Sequence, residues 1–600
     1  MISDESLRPR LALRFGVTGH RPPRLSLDHH EIARQACTEL FRDAEIALTG
    51  IHKRFPEVFS EEKPTLRLVT ALASGADTVA AEAAYAEGIA LSACLPFPSE
   101  TYSKDFSEEE WRNAEALAKA ADGTLAIDDF APSDEAAYEA IGRLVLAQSD
   151  ILIAIWDGEP ARGRGGTTEV VAEAVSRHIP VIHINPDGRH EPILLWSGLH
   201  EELPDRPSID GVLRIPAKGA LPSLVDALCA PPEGDEFTSL QDFMRGVALA
   251  GKSSIEWPFL LLATGAKKWS QTSFASPGPA QSRQYFEPLV EPFAELGRFG
   301  RRLAGPLADR FARADAAASA SALQFRSSFV TNFALAALAV MLALTGLLVP
   351  SAKVGLILAE LFVILSIILN TRRANLRNYH QLWIDRRHLA ERLRLLAISS
   401  TMGRLSLRDV EDGTTHPGWE TWYARATARE LELPPGTLDQ DYLAKVRNTM
   451  LALIEDQIGY HHRNKHIMEH ANHRLHRMGD FLFIGTILFC LFFLTAKVFP
   501  ALYVEFNGIG LTQIVTVATA LFPALAASLY GIRMQGDFAA TAERSAAIEN
   551  RLSKLRASLA ADQLSYSRLV DRFRRLSEIM LSDIHQWQQQ YETRPLSLPG

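Results

Sequence analysis

The chain has 600 residues and a formal net charge of −9, so it is too long for one hydrophobic core and lacks the basic excess that nonspecific nucleic-acid binding needs. The four cysteines, Cys37, Cys94, Cys229 and Cys490, form no C-x-x-C pair, which excludes a cysteine framework or a cysteine-rich metal site as the expected organising principle. Met1–Arg10 is charged and has no apolar stretch, which reads as no cleavable signal peptide.

The first third alternates short apolar runs with amphipathic ones. Leu11–Val17, Leu66–Ala71, Ile89–Leu95, Thr124–Ile127, Asp150–Trp156 and Val181–Ile184 read as strands. Asp28–Leu48, the alanine-rich run to Ala86, Ala114–Ala121, Glu135–Gln148 and the stretch ending at Arg177 read as helices. Residues 1–215 are therefore expected to form an α/β domain, a Rossmann-like, doubly wound, mostly parallel sheet with helices on both faces.

Three glycine-containing turns follow strands in this pattern, where open α/β sheets bind ligands. The first contributes Gly16, Thr18, Gly19, His20 and Arg21, and the second Ser74, Gly75 and Asp77. The third runs from Asp157 and Gly158 to Gly165, Gly166, Thr167 and Glu169. Glycine lets backbone approach a ligand closely, and the free N–H groups of a helix start attract phosphate. Each turn alone is equally consistent with an ordinary tight turn; together they point to a phosphate-bearing ligand.

Further along, Val330–Val349 is uncharged and about 20 residues long, enough to span a bilayer core. Val354–Leu369 runs back with one charge, Glu360, and Phe481–Val498 and Leu511–Ile532 form a second pair around Pro500–Gly510. An all-α membrane region with two transmembrane hairpins is expected, the alternative being buried core helices. Arg326, Arg372, Arg373, Arg377, Arg474, Arg477 and Arg533 flank the long segments, whereas the short reversals offer only Lys353 and Lys497. The positive-inside rule then places both termini and the central segment in the cytoplasm. Glu360 is a pore candidate, or else lies among packed helices with a partner, because an unpaired charge in a membrane helix is costly.

The remaining segments read as a connector with helices (216–325), a first transmembrane hairpin with a cytoplasmic helix (326–405), a cytoplasmic helical linker (406–479), a second transmembrane hairpin (480–533) and a coiled-coil-like C-terminal helix (534–600). Leu376, Tyr379, Trp383, Ala390, Leu393 and Ala397 follow three–four spacing, interrupted by Arg386; Ile548, Leu552, Leu555 and Leu559 do so again. Such seams serve an intramolecular bundle or a homo-oligomer equally. His462, His466, His470 and His473 read as a solvated polar face rather than a metal site, since no Asp or Cys joins them at ligand spacing.

Gly16-Val17-Thr18-Gly19-His20-Arg21, Leu72-Ala73-Ser74-Gly75-Ala76-Asp77, Leu95-Pro96-Phe97-Pro98 with Tyr102 and Asp105, and Trp156-Asp157-Gly158 followed by Gly165-Gly166-Thr167 resemble the SLOG superfamily. That group includes the cytokinin-activating LOG enzymes and the sensor region of melastatin-type TRP channels. The resemblance covers roughly residues 10–215 and implies binding of a nucleotide or an ADP-ribose-like, NAD-derived molecule. The membrane pairs, with Trp383, Arg387 and Ala390-Glu391-Arg392-Leu393-Arg394, look like SLATT-type two-helix effectors of bacterial conflict systems. This implies a multi-pass protein of the bacterial cell membrane that responds to a nucleotide-derived signal as a pore or membrane-disrupting effector in antiviral defence. The LOG motif P-G-G-x-G-T-x-x-E departs here: Glu169 comes one residue early and Val170 holds the acid's place. No catalytic residue, metal or resident cofactor is therefore expected. A membrane-anchored nucleotide N-glycosidase and a ligand-regulated recruitment module are the alternatives.

Overall fold

The structure is a computed structural model that describes residues 4–130, 134–159, 166–202, 204–205, 207–246, 253–405, 418–499, 505–506 and 509–591. Its organising element is a nine-stranded sheet. The strands are β1 (Ala12–Gly19), β2 (Thr65–Thr70), β3 (Ala90–Leu95), β4 (Gly123–Ile127), β5 (Ile151–Ile155), β6 (Val181–Ile184), β7 (Ile193–Leu195), β8 (Arg214–Pro216) and β9 (Gly436–Leu438). They lie in the order β8-β7-β6-β5-β1-β2-β3-β4-β9. Neighbours are parallel except at β7, which pairs antiparallel with β6 and β8.

The first six strands are short runs of Val, Ile, Leu and Ala, as strands buried on both faces require. Successive side chains of β1 point to opposite faces. Phe15 meets Phe41 of helix α1 (Leu27–Arg54), with ring centroids 5.6 Å apart. Helix α2 (Ala76–Ala86) also packs against β1 and β3. On the other face Gly16 approaches Val145 of α3 (Glu135–Gln148). Beyond β5, helix α4 (Thr167–Ser176) leads into β6.

The sequence predicts only helix for 406–479, yet Gly436–Leu438 extends the sheet at β4. Three residues beginning with glycine carry no strand periodicity, so only tertiary context places them.

Most of the other described residues are helical. After α5 (Glu256–Ala263) come α6 (Ala308–Leu348), α7 (Lys353–Leu376), α8 (Tyr379–Thr401), α9 (Trp419–Glu430), α10 (Gln440–Val498), α11 (Leu511–Gln535), α12 (Phe538–Ala561) and α13 (Tyr566–Tyr591). At 59 residues, α10 is roughly 90 Å long. Four of these helical stretches are long and apolar enough to cross a membrane by length and composition. Their apolar windows are largely open: Leu358, Phe362, Phe481 and Leu494 are all exposed. α6 packs on α7 and on α11, while α10 packs on α11. Asn332, buried on α6, donates to Thr371 Oγ1 at 2.8 Å and accepts from Asn370 Nδ2 at 2.8 Å, which ties α6 to α7.

Both apolar pairs continue into a stem through the same break. Asn378 has φ 45°, between α7 and α8, and Asp537 has φ 45°, between α11 and α12. Asn and Asp tolerate the left-handed region better than other side-chain-bearing residues. Each is followed by a buried aromatic, Tyr379 or Phe538, which fixes the new helix direction.

A buried polar seam joins the helical part to the sheet at the strands' N-terminal edge. Arg310 of α6 and Glu430 of α9 are both 1% exposed and pair at 2.8 Å. Arg310 also donates to the backbone oxygens of Ser6 and Arg8, and Glu430 accepts from the Arg10 N–H. Next to them Arg429 Nε donates to Asp150 Oδ1 at 2.9 Å, and Arg14 of β1 donates to Gln148 Oε1 and to the Leu431 carbonyl. Removing one partner of a buried pair strands the other's charge. Arg310→Met should therefore cost about 3–5 kcal/mol of unfolding free energy. Denaturant unfolding of the full chain in detergent checks this. Arg310→Met with Glu430→Leu should recover part of the loss, whereas an additive double variant would contradict the pairing.

Candidate functional site

A cleft of about 490 Å³ opens at the C-terminal edge of the sheet. Its wall includes Thr18, Gly19, His20, Arg21 and Arg24 after β1, and Ala71, Ala73 and Asp77 after β2. Pro96 follows β3, Tyr138 and Ile141 come from α3, and Gly166, Thr167 and Val170 from the start of α4. Seven sequence-predicted residues thus meet in one place: Thr18, Gly19, His20, Arg21, Asp77, Gly166 and Thr167.

The first turn is held from three sides. The His20 N–H donates to the Ile155 carbonyl at 2.9 Å, continuing the β1–β5 pairing, and the His20 carbonyl accepts from the Ala76 N–H at 3.0 Å. His20 is buried, and its Nε2 lies 3.2 Å from the Asp157 N–H and 3.0 Å from Asp157 Oδ1. Burial raises the Asp157 carboxyl, but the Glu159 N–H and His20 outweigh it and hold the pKa below the ordinary range. Arg21 is exposed, with its guanidinium 5.1 Å from the ring centre of Tyr138.

The second turn closes on itself. Gly75 has φ 97°, a region that disfavours side chains, and a Cβ there would lie 2.5 Å from the His20 carbonyl. Asp77 is buried and accepts from the Ala71 N–H at 3.1 Å and the Thr70 hydroxyl at 3.4 Å. Burial pushes the Asp77 carboxyl up to about 6, against the opposing pull of Arg21 and these donors.

The third turn presents the start of α4. Gly166 is its N-cap and supplies no side-chain cap, the Glu169 N–H donates to the Gly166 carbonyl at 3.0 Å, and Gly166, Thr167 and Thr168 line the cleft. Gly165 lies outside the described residues. Glu169 is exposed, while Val170, one position on, lines the cleft.

Other predicted residues serve the frame. A Cβ on Gly16 would lie 2.2 Å from Ser149 Oγ and 2.9 Å from Val145, so this glycine permits close helix–strand packing. Ser74 is half-buried, with its hydroxyl 2.5 Å from Glu110 Oε1. Asp157 flanks the cleft through His20, and Gly158 follows it with φ 86°. Glu360 is half-buried on α7, in an apolar helix and not at the cleft. Tyr102 and Tyr138 were not predicted as ligand residues, though both line the cleft; Tyr102 was quoted only within the SLOG resemblance. Their one available signal was an aromatic near a strand end.

His462 lies 2.8 Å from Glu549 on α12, and His466 lies 3.9 Å from Glu469. Among the described residues no group of three or more His, Cys, Asp or Glu is placed to hold a metal ion. No protein-family model matches the chain, and no curated protein matches it significantly in sequence.

Two outcomes separate frame from ligand contacts. Gly16→Ala should lower stability by about 1–3 kcal/mol through overpacking, measured by denaturant unfolding; unchanged stability would contradict the packing role. For Asp77, the folded pKa of about 6 lies above the ordinary 3.8, so the folded state binds the proton more tightly. That contribution is complete at acid pH and is lost as pH rises through about 6. Relative to wild type, Asp77→Asn should gain thermal stability as pH rises from 4 to 6 and then level off.

Proposed function

We propose that the chain is a membrane-embedded sensor-effector: the sheet cleft binds a nucleotide or NAD-derived ligand, and the apolar helices respond as a pore or membrane-disrupting element. The observation that carries this is the meeting, in one cleft, of the Thr18–Arg21 turn with the glycine-led start of α4. A helix start and Arg21 suit phosphate. Asp77, Glu135 and Glu159 offer carboxylates for ribose hydroxyls, and Tyr138 and Pro96 offer surface for a base. The SLOG-like motifs at the same turns point the same way.

Binding is favoured over glycoside hydrolysis because Val170 occupies the cleft wall where the LOG-like acid would stand, and Glu169 is exposed. A membrane role is supported by four long apolar helices whose sides remain open. We place them in a bacterial cell membrane with both termini cytoplasmic, on the distribution of arginines. Their open apolar faces suit lipid or further copies of the chain, and antiviral defence is the role that the SLATT-like resemblance suggests.

α3 connects the two ends of the sheet. Glu135, Tyr138 and Ile141 line the cleft, and Gln148 at its other end contacts Arg14 and the Gly403 carbonyl beyond α8. A ligand that moves α3 would therefore act on the stems directly.

The test is thermal unfolding of the full detergent-solubilised chain with nucleoside monophosphates, NAD and ADP-ribose. The full chain is needed because α9 and β9 complete the sheet. At least one compound should raise the midpoint by several degrees, and Arg21→Ala should abolish that rise. A midpoint unmoved by every compound would overturn ligand sensing.

A further inference from the structure

A second cavity, of about 440 Å³, lies away from the sheet cleft, among the stems that join the sheet side of the molecule to the apolar helices. Its wall draws on α5 and the loop after it, and on the stem of every apolar helix: α6 at Arg326, α8 at Trp383 and Arg387, α10 at Tyr460 and His461, and α12 at Arg544.

The wall is cationic and aromatic. Lys267, Arg326, Arg387 and Arg544 line it against a single carboxylate, Glu391. Glu391 is held by Arg387 at 2.5 Å and Arg394 at 2.7 Å, Arg387 also meets Asp315 at 3.4 Å, and Arg544 meets Asp537 at 3.4 Å, so Lys267 is the cation on which the site turns. Arg326 also lines the wall, with its guanidinium 5.2 and 5.1 Å from the ring centres of Trp257 and Trp383. Lys267 is half-buried, both burial and Arg326 depress its pKa, and among the described residues no carboxylate pairs with it.

Among the described residues, two buried polar atoms in the same wall have no hydrogen-bond partner: Ser276 Oγ and His461 Nδ1. Ser276 is 9% exposed. A buried polar atom without a partner is costly, and a cavity lined by two of them beside a half-buried lysine is a place that a ligand completes. The Lys267 ammonium fixes the sign of that ligand, and the Trp257, Trp383 and Tyr460 rings fix its second part as flat or apolar.

We infer that this cavity is a second ligand site, for a phosphate-headed molecule with an apolar or aromatic portion, seated among the stems of all four apolar helices. The phosphate lies toward Lys267 and Ser276 and the remainder against the tryptophans. Because the wall belongs to four stems, occupancy holds their spacing and so biases the apolar helices independently of the sheet cleft. The chemistry has two sources, a soluble nucleotide and a membrane phospholipid.

The experiment uses the full chain in detergent, carrying Arg21→Ala so that the sheet cleft does not contribute. Thermal unfolding is followed with inorganic phosphate, adenosine monophosphate and dihexanoyl phosphatidylglycerol, each against sodium chloride at matched ionic strength. The midpoint should rise by several degrees with at least one of the organic phosphates, and the rise should vanish in both Lys267→Glu and Lys267→Gln. Using both variants separates loss of the site from a folding defect, since the neutral variant keeps the shape of the wall. A response to adenosine monophosphate assigns a soluble nucleotide, and one to the short-chain lipid assigns a phospholipid. No rise beyond matched salt, or a rise that survives both Lys267 variants, would overturn the site.

Discussion

The pairing of Arg310 with Glu430 is the interaction on which the arrangement depends. One partner stands on the helix that enters the first apolar span, the other at the end of α9, and neither reaches solvent. Their charges are tolerable inside the protein only because each is satisfied several times over, by the other and by the backbone of residues 6–10. Such a pair adds little net stability over a well-packed apolar contact, but it punishes any other geometry heavily. It therefore specifies how the stem of α6 sits against the first strand's entry. Arg429 with Asp150, and Arg14 with Gln148, extend the same constraint across the sheet edge.

That geometry separates the cleft from the buried seam. The cleft occupies the edge where the parallel strands end, and the buried seam occupies the edge where they begin. A rigid sheet lies between, so a signal passing from one to the other has to travel along an element that spans both. α3 does so, from Tyr138 at the cleft to Gln148 at the seam. The cavity among the stems lies further along the same route, and the left-handed breaks at Asn378 and Asp537 stand between it and the apolar helices.

Much of this was legible in the sequence, for a physical reason: strands buried on both faces need unbroken Val, Ile and Leu, and bilayer-length helices need about 20 apolar residues. Glu135–Gln148 and Val181–Ile184 are helix and strand with the predicted bounds. What escaped was decided by tertiary contacts. β9 is three residues that become a strand only because β4 offers an open edge. Arg386, Glu391 and Arg394 interrupt or border the stem's apolar seam as if solvated, yet all are buried, because salt bridges and neighbouring helices enclose them. In the candidate site the glycine turns meet at one sheet edge, as their positions after strands implied, but their residue types did not reveal the division of labour. Gly16 spaces α3 from β1, and Ser74 is taken up by Glu110. A turn that binds phosphate and a turn that only packs use the same residue types, so spacing alone does not tell them apart.

The central claim is that occupancy of the sheet cleft changes what the apolar helices do. Its most direct test is ion flux through liposomes reconstituted with the full chain, measured with and without a compound that binds the cleft. The account predicts a flux that changes when the compound is added and stays constant in Arg21→Ala. A compound that binds the wild-type chain tightly and leaves the flux unaltered would contradict it.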